Sequence, residues 1–160
     1  MRKLLAIGCM ALSLAMGACN FGSVFSDRKS LGADMVWNMD NVLVFEPSIS
    51  DTISAYDLVV DLRTVDFYPY SNMWLYITTI SPSGRQCKDT MECILRDSKG
   101  FSNATGRMNF GELEDYEFPF KQNVRFQEPG QYKFMVQHGM RDSLLPFVNE
   151  VGLSILKRDK

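Results

Sequence analysis

The sequence has little of the chemistry that enzymes use. It contains one histidine, His138, in 160 residues, and its four cysteines form no C-x-x-C pair. Neither Cys87 nor Cys93 has a histidine near it in sequence, and no glycine-rich phosphate loop follows a predicted strand. A catalytic site needs a positioned base, nucleophile or metal. We therefore expect no catalytic residue, no metal and no cofactor.

A strong charge of one sign is also missing. Lysine and arginine number 17 against 19 acidic residues, a formal net charge of −2. Loss of the first 18 residues would remove Arg2 and Lys3 and no acid, so the remainder would be more negative still. The basic residues form no long run, and the terminal 157–160 stretch is too short to follow a phosphate backbone. This excludes a nucleic-acid partner and argues against a polybasic membrane patch.

Only one long apolar run is present, at the amino terminus. The basic Arg2 and Lys3 precede apolar residues 4–15, and Gly17-Ala18 then lead to Cys19. A basic start, an apolar run and small residues before a cysteine are typical of a secretory signal with a bacterial lipobox. A membrane span needs about 20 apolar residues, more than this run has. The sequence predicts a signal peptide at 1–18 and lipidation of Cys19; the alternative is a cleaved, soluble product.

After removal of the signal, Cys87 and Cys93 are the remaining thiols in an oxidising compartment. A disulfide between them is one prediction, and two free, buried thiols are the alternative. The bridge requires a turn, because six residues of straight strand would separate the two Cα atoms by about 20 Å instead of about 5.5 Å.

The composition divides the rest of the chain into two parts. Residues 19–34 are rich in Gly, Ser and charged residues without a clear period, which predicts a lipid-anchored tether. Residues 35–160 are long enough for one domain with a sizeable core. Apolar alternation or short apolar runs predict strands within residues 42–45, 56–63, 73–79, 91–96, 118–127, 132–138 and 150–157.

Turns rich in proline and glycine separate these segments. The pattern predicts an all-β fold, an antiparallel, jelly-roll-like β-sandwich of about seven to eight strands. Glu128-Pro129-Gly130 predicts a hairpin between the strands on either side. Residues 99–115 are predicted to be a long connection, in which Glu112, Glu114 and Asp115 form a solvated acidic loop rather than a calcium site.

Aromatic residues mark a candidate interaction surface. If Met73, Leu75 and Ile77 face the core, then Trp74 and Tyr76 on the other face are either covered by a loop or exposed. Tyr68 and Tyr70, in the preceding turn, would belong to the same surface. His138 has the parity of the core-facing residues of its own strand, which predicts a buried structural residue.

Short motifs recur in a particular order along the chain. After the lipobox come Trp37, Tyr56-x-Leu58, Leu62-Arg63, Tyr68-Pro69-Tyr70-x-Asn72, Ser81-Pro82-x-Gly84, Asp89-Thr90, Gly130-x-Tyr132-x-Phe134, Met140-Arg141, Leu145 and Val151-Gly152-Leu153. This order resembles the GldH family of gliding-motility lipoproteins of Bacteroidetes.

The resemblance implies a non-catalytic protein of the cell envelope, held by a lipid anchor in the outer membrane on its periplasmic or its surface side. It implies an accessory or scaffold role in the machinery of motility and surface adhesins, with other envelope and motility proteins as partners. The alternative is a glycan-binding surface lipoprotein that stacks sugars on exposed aromatic side chains.

Overall fold

The computed structural model describes residues 22–107 and 113–158, and all regular secondary structure in these ranges is β-strand. The strands are β1 (Ser23–Ser30), β2 (Val36–Asn38), β3 (Leu43–Phe45), β4 (Ser48–Ile49), β5 (Tyr56–Val65), β6 (Asn72–Ile80), β7 (Gln86–Ile94), β8 (Gly106–Arg107), β9 (Leu113–Val124), β10 (Gly130–Gln131), β11 (Lys133–His138), β12 (Leu144–Pro146) and β13 (Val148–Lys157).

Two antiparallel sheets form the body of the molecule. The five-stranded sheet has the order β1-β13-β5-β9-β8, and the four-stranded sheet has the order β3-β11-β6-β7. Two short ribbons, β10-β4 and β12-β2, complete the fold. The predicted all-β, antiparallel sandwich is confirmed. In the described part of the chain no helix is long and apolar enough to cross a membrane.

The core lies between the two sheets and follows the predicted alternation. The five-stranded sheet contributes Leu58, Val60, Leu62, Val151, Leu153 and Ile155, and the four-stranded sheet contributes Met73, Leu75, Ile77, Phe134 and Val136, all buried. Each such side chain stabilises the fold by about 1.5–3 kcal/mol relative to an exposed one. Trp37 of β2 is fully buried and belongs to the same cluster.

The strand registers give the sandwich two distinct ends. At the N-terminal end, Ser23 at the start of β1 lies opposite Leu156, and Tyr56 lies opposite Lys157 and Val124. The loops at that end are 46–55, 81–85 and 125–132. At the opposite end, Ser30 pairs with Glu150 and Asn72 pairs with Ile94. The loops there are 31–42, 66–71, 95–105 and 139–147.

The segment predicted to be a tether, 19–34, differs from expectation. Ser23–Ser30 forms β1, which pairs with β13 from Ser23↔Leu156 to Ser30↔Glu150. The strand is an edge strand made mostly of serine and charged residues, with alternating exposed and half-buried positions. Phe25 is the only apolar residue on the inward side of β1. The sequence therefore shows no apolar alternation that would predict a strand here. The structured domain therefore begins about a dozen residues earlier than predicted.

The predicted hairpin is also wrong. β9 pairs with β5 and β8 in the five-stranded sheet, whereas β11 pairs with β3 and β6 in the four-stranded sheet. The segment between them crosses from one sheet to the other, and Gly130–Gln131 pairs with β4 on the way. Alternation determines which face of a strand is buried, but it does not select the neighbouring strand.

Gly152 of β13 provides a test of this packing. A Cβ atom there would lie 2.9 Å from Cγ of Arg28 and 3.0 Å from Cβ of Asp61. We predict that Gly152→Ala lowers the free energy of unfolding by about 1–3 kcal/mol, because the added methyl group overpacks the site. Gly106→Ala is the control, since its Cβ would make an ordinary 3.7 Å contact with Asp115. Equal urea midpoints for the two variants would contradict the prediction.

Candidate functional site

Trp74 and Tyr76 lie on the outer face of the four-stranded sheet and are exposed by 38 % and 37 %. The Nζ atom of Lys88 lies 5.0 Å from the centroid of the Tyr76 ring. A Cβ atom on Gly139 would lie 2.8 Å from this ring, so the tyrosine packs directly against glycine backbone. Of the two alternatives that the sequence left open, exposure is the one the structure shows.

Tyr68 does not belong to that surface. Only 5 % of it is exposed, and its hydroxyl donates a hydrogen bond to the carbonyl oxygen of Asn72 at 3.2 Å. Burial raises the pKa of the Tyr68 hydroxyl far above its ordinary value. Tyr70 is half-buried, packs edge-on against Tyr68 and donates a hydrogen bond to Oδ2 of Asp142. The Tyr-Pro-Tyr turn therefore places one ring in the core and one at the surface.

A groove runs beside Trp74. It has a volume of about 440 Å³ and is lined by Tyr70, Trp74 and the segment 139–142. Arg141 and Asp142 are exposed at this groove. An aromatic ring next to charged hydrogen-bonding groups can accept a polar ligand with an apolar face.

His138, the single histidine, is the last residue of β11, and its side chain is buried on the core-facing side of the four-stranded sheet. Its Nε2–H donates to the carbonyl oxygen of Trp37 at 3.1 Å, and its ring contacts the indole at 5.2 Å between centroids. Its Nδ1 atom is buried without a hydrogen-bond partner. Burial, the largest cause, lowers the pKa of His138 below the ordinary value. The predicted core-facing position of His138 is confirmed, although one of its two ring nitrogens is left without a partner.

The two cysteines are free thiols, so the predicted bridge is wrong. Both lie on β7, Cys87 exposed and Cys93 buried. β7 pairs with β6 continuously from Gln86 to Ile94, without the turn that a bridge requires. Six residues of unbroken strand separate the Cα atoms of the two cysteines by about 20 Å.

Two of the three acidic residues predicted to form a solvated loop are partnered within the fold, and Glu112 lies outside the described residues. Glu114 and Asp115 lie in β9 and not in a loop. Asp115 accepts from Nε of Arg63 at 2.8 Å, and buried Glu114 accepts from the Tyr116 hydroxyl at 2.6 Å. The hydrogen bonds from Arg63 and the charges of Arg63 and Arg28 lower the pKa of Asp115 despite the opposing effect of burial. Residues 22–107 and 113–158 contain no acidic, histidine or cysteine cluster that could hold a metal.

A second surface was not predicted from the sequence. Four of the exposed apolar side chains at the opposite end are Phe67, Phe101 and Phe147, which lie between strands, and Leu144, which begins β12. Phe67 and Phe101 are the most exposed of them, at 70 % and 69 %. Arg96 connects their two loops, because it donates to the carbonyl oxygen of Asp66 at 2.6 Å while its own loop carries Phe101. We call these four side chains the apolar end surface. Single phenylalanines in separate loops carry no periodic signal, so only the folded chain shows them together.

The free thiols give a second testable prediction. N-ethylmaleimide added to the native protein should modify Cys87 and leave Cys93 unmodified, because burial raises the pKa of the Cys93 thiol to about 12. Both should react in urea. Peptide mass spectrometry distinguishes the two sites, and a peptide pair joined by a disulfide would contradict the structure.

The buried histidine gives a third prediction. The folded-state pKa of His138 is lowered, so the unfolded chain binds this proton first as the pH falls below about 6.5. Wild-type stability should therefore fall with decreasing pH by up to about 1.4 kcal/mol per pH unit more than that of His138→Gln, which cannot titrate. Urea unfolding from pH 7.5 down to about pH 5 measures the difference. Parallel curves for the two proteins would show that the imidazole is not held neutral.

The chain is similar to two lipoproteins over most of its length. Gliding motility lipoprotein GldH of Flavobacterium johnsoniae is 27 % identical over 154 residues, covering 92 % of each chain. A GldH homolog of Christiangramia forsetii is 29 % identical over 153 residues, covering 91 % of each. Among solved structures, a chain of infectious bursal disease virus strain Gx has a TM-score of 0.30 and 9 % identity over 84 % of this chain and 29 % of the viral one. That similarity is too low to carry an argument.

The family comparison covers nearly the whole described domain. The model of the GldH lipoprotein family matches residues 23–155, from the first residue of β1 almost to the end of β13. The match thus includes the edge strand that the hydrophobic pattern had missed. This chain belongs to the GldH lipoprotein family.

Proposed function

We propose that the mature protein begins at Cys19, carries lipid on that sulfur, and serves as a non-catalytic subunit of an assembly in the outer membrane. The lipobox 16–19 supports the anchor, and membership of a lipoprotein family agrees with it. Cys19 lies outside the described residues. Several acyl chains give effectively stable attachment, whereas one chain alone would give marginal binding.

A binding role, rather than catalysis, is supported by the surroundings of the reactive side chains. His138 is neutral, buried and bonded to backbone, and the Cys93 thiol is buried. The thiol of exposed Cys87 donates a hydrogen bond to Oδ2 of Asp89 and has no histidine beside it, since the single histidine is buried in the core. Asp115 is held by arginine. None of these groups is positioned to attack a substrate.

The observation that carries the proposal is the apolar end surface. It lies at the end of the sandwich away from the start of β1, and hence away from the anchor. Large apolar groups exposed together typically mark protein interaction sites, and phenylalanines are enriched in the cores of such interfaces. The protein would thus be held at one end by lipid and bind another envelope protein at the other.

The relatives indicate the process in which this binding takes part. Two of them are named for gliding motility. We propose that this chain is an accessory or scaffold component of the motility and surface-adhesin machinery, with another envelope protein of that machinery as its partner.

Photocrosslinking in cells tests the proposal. Benzoylphenylalanine replaces Phe67 or Phe101 in the full-length protein, and Gln122, an exposed residue of β9, is the control position. Both phenylalanine positions should yield an adduct with the same envelope protein, and position 122 should not. With benzoylphenylalanine at position 67, Phe101→Asp should abolish the adduct at unchanged protein level, because a charge in an apolar interface loses its hydration without gaining a partner.

Two results would contradict the account. The first is an adduct pattern that is identical at positions 67, 101 and 122. The second is a Cys19 peptide without acyl chains, by mass spectrometry, in the protein recovered from the membrane fraction, which would exclude the lipid as the anchor.

The groove beside Trp74 favours glycan binding as a second candidate. Sugars stack on exposed indole rings and form hydrogen bonds with charged groups such as Arg141 and Asp142. A glycan array with the native protein, Trp74→Ala and Phe67→Ala separates the candidates. A sugar signal that is lost only with Trp74→Ala supports this function, and silence across bacterial polysaccharides opposes it.

A further inference from the structure

The N-terminal end carries the most exposed large hydrophobic side chain of the described residues. Ile53, in the loop before β5, is exposed by 80 %. Its side chain points out of a domain in which Ile49, Ile77 and Ile155 are buried, and it is more exposed than Ile94, at 44 %. An isoleucine with this exposure buries little apolar area on folding. A single exposed apolar residue is ordinary on its own, so the significance of Ile53 depends on its surroundings.

The loop that carries Ile53 is held firmly in place. Asp51 accepts hydrogen bonds from the backbone N–H groups of Ile53 and Ser54, at 2.9 Å and 3.1 Å, and from the Ser54 hydroxyl at 2.6 Å. The Lys157 ammonium group lies 2.8 Å from the same carboxylate. The hydrogen bond from Lys157, together with those from Ser54 and Ile53, lowers the pKa of Asp51 well below its usual range. The Tyr56 hydroxyl donates to the carbonyl oxygen of Asp51 at 2.8 Å. Ile53 is therefore presented on a rigid tip.

Two arginines lie near this tip. Nε of Arg125 donates to the carbonyl oxygen of Ile53 at 3.2 Å, which places a guanidinium group directly beside the isoleucine. The backbone N–H of Arg158 donates to the carbonyl oxygen of Ala55 at 2.9 Å, and the exposed Arg158 guanidinium lies 3.4 Å from Oδ1 of Asp57. These two arginines are 33 positions apart in the sequence, so no basic run marks them. An apolar tip between cations has the chemistry of a membrane-interface contact.

The chain length places this end against the membrane. Gly22 is held at the same end, because its carbonyl oxygen accepts a hydrogen bond from the N–H of Lys157 at 2.6 Å. Only Asn20 and Phe21 separate Gly22 from Cys19. Three residue steps span at most about 11 Å, which is close to the depth of one headgroup layer of roughly 5–8 Å. A lipid on the Cys19 sulfur therefore leaves no room for the domain to stand away from the bilayer.

We infer that the loop 51–55 and the arginines 125 and 158 form a second contact with phospholipid, in which Ile53 enters the headgroup layer and the two guanidinium groups bind lipid phosphate. This inference rests on the proposed acylation of Cys19. The lipid chains hold the protein in the membrane, and the second contact fixes the orientation of the sandwich. The apolar end surface then faces away from the bilayer.

Fluorescence quenching in membranes tests this contact. The acylated full-length protein with Cys87→Ser is labelled with the environment-sensitive dye NBD at Ile53→Cys or at Phe67→Cys, the matched exposed position at the opposite end. It is reconstituted in vesicles of phosphatidylethanolamine and phosphatidylglycerol whose acyl chains carry bromine. Dye at position 53 should show a blue shift and loss of fluorescence through bromine quenching. Dye at position 67 should show neither.

A charge reversal tests the cationic part. Arg125→Glu together with Arg158→Glu should reduce the quenching at position 53, because lipid phosphate then repels this end, while the anchor keeps the protein in the vesicle fraction. Equal quenching at 53 and 67, or none at 53, would overturn the inference. Recovery of acylated protein with the vesicles, checked by mass spectrometry of the Cys19 peptide, separates this outcome from failure of the anchor itself.

Discussion

Backbone hydrogen bonding between β1 and β13 is the constraint on which the rest of the structure depends. It begins at Ser23, only four positions after Cys19, so the residues that would otherwise separate domain and membrane form an edge strand instead. The pairing extends the five-stranded sheet and places Arg28 over Gly152, close to Asp61. It also determines which end of the sandwich lies near Cys19. With lipid on Cys19, as proposed above, the anchor would lie at this end of the sandwich and the opposite end would be available for partners.

The sequence was informative wherever one face of a strand met the core. Tyr56, Leu58, Val60 and Leu62 alternate with polar residues, and β5 buries that row. The same logic placed β6, β11 and β13, and it assigned His138 to the inward side of β11. Period-two patterning records burial, and burial is what these strands share. The ordered motifs behind the lipobox also led to the correct family.

The alternation does not show which strands pair, or which residues from distant parts of the sequence lie next to each other in the fold. The polar strand β1 has too few apolar residues to show its period, and β9 and β11 alternate in the same way whether or not they pair with each other. Cys87 and Cys93 looked like a possible bridge because sequence distance does not show that β7 runs straight between them. Tyr68 and Tyr70 differ in burial although they share one motif. The apolar end surface and the tip at Ile53 each combine residues from separate loops, so neither could be found before the chain was folded.

Amide hydrogen exchange over residues 23–30 of the acylated protein in membranes tests the central claim most directly. If β1 is paired with β13, the amides that point toward β13 exchange slowly, as do those of the last strand, and peptides from the two strands lose their protection together on addition of denaturant. Exchange of residues 23–30 at the rate of an unstructured peptide, with β13 still protected, would contradict the account. The domain would then hang from a flexible tether, and neither end would have a fixed relation to the bilayer.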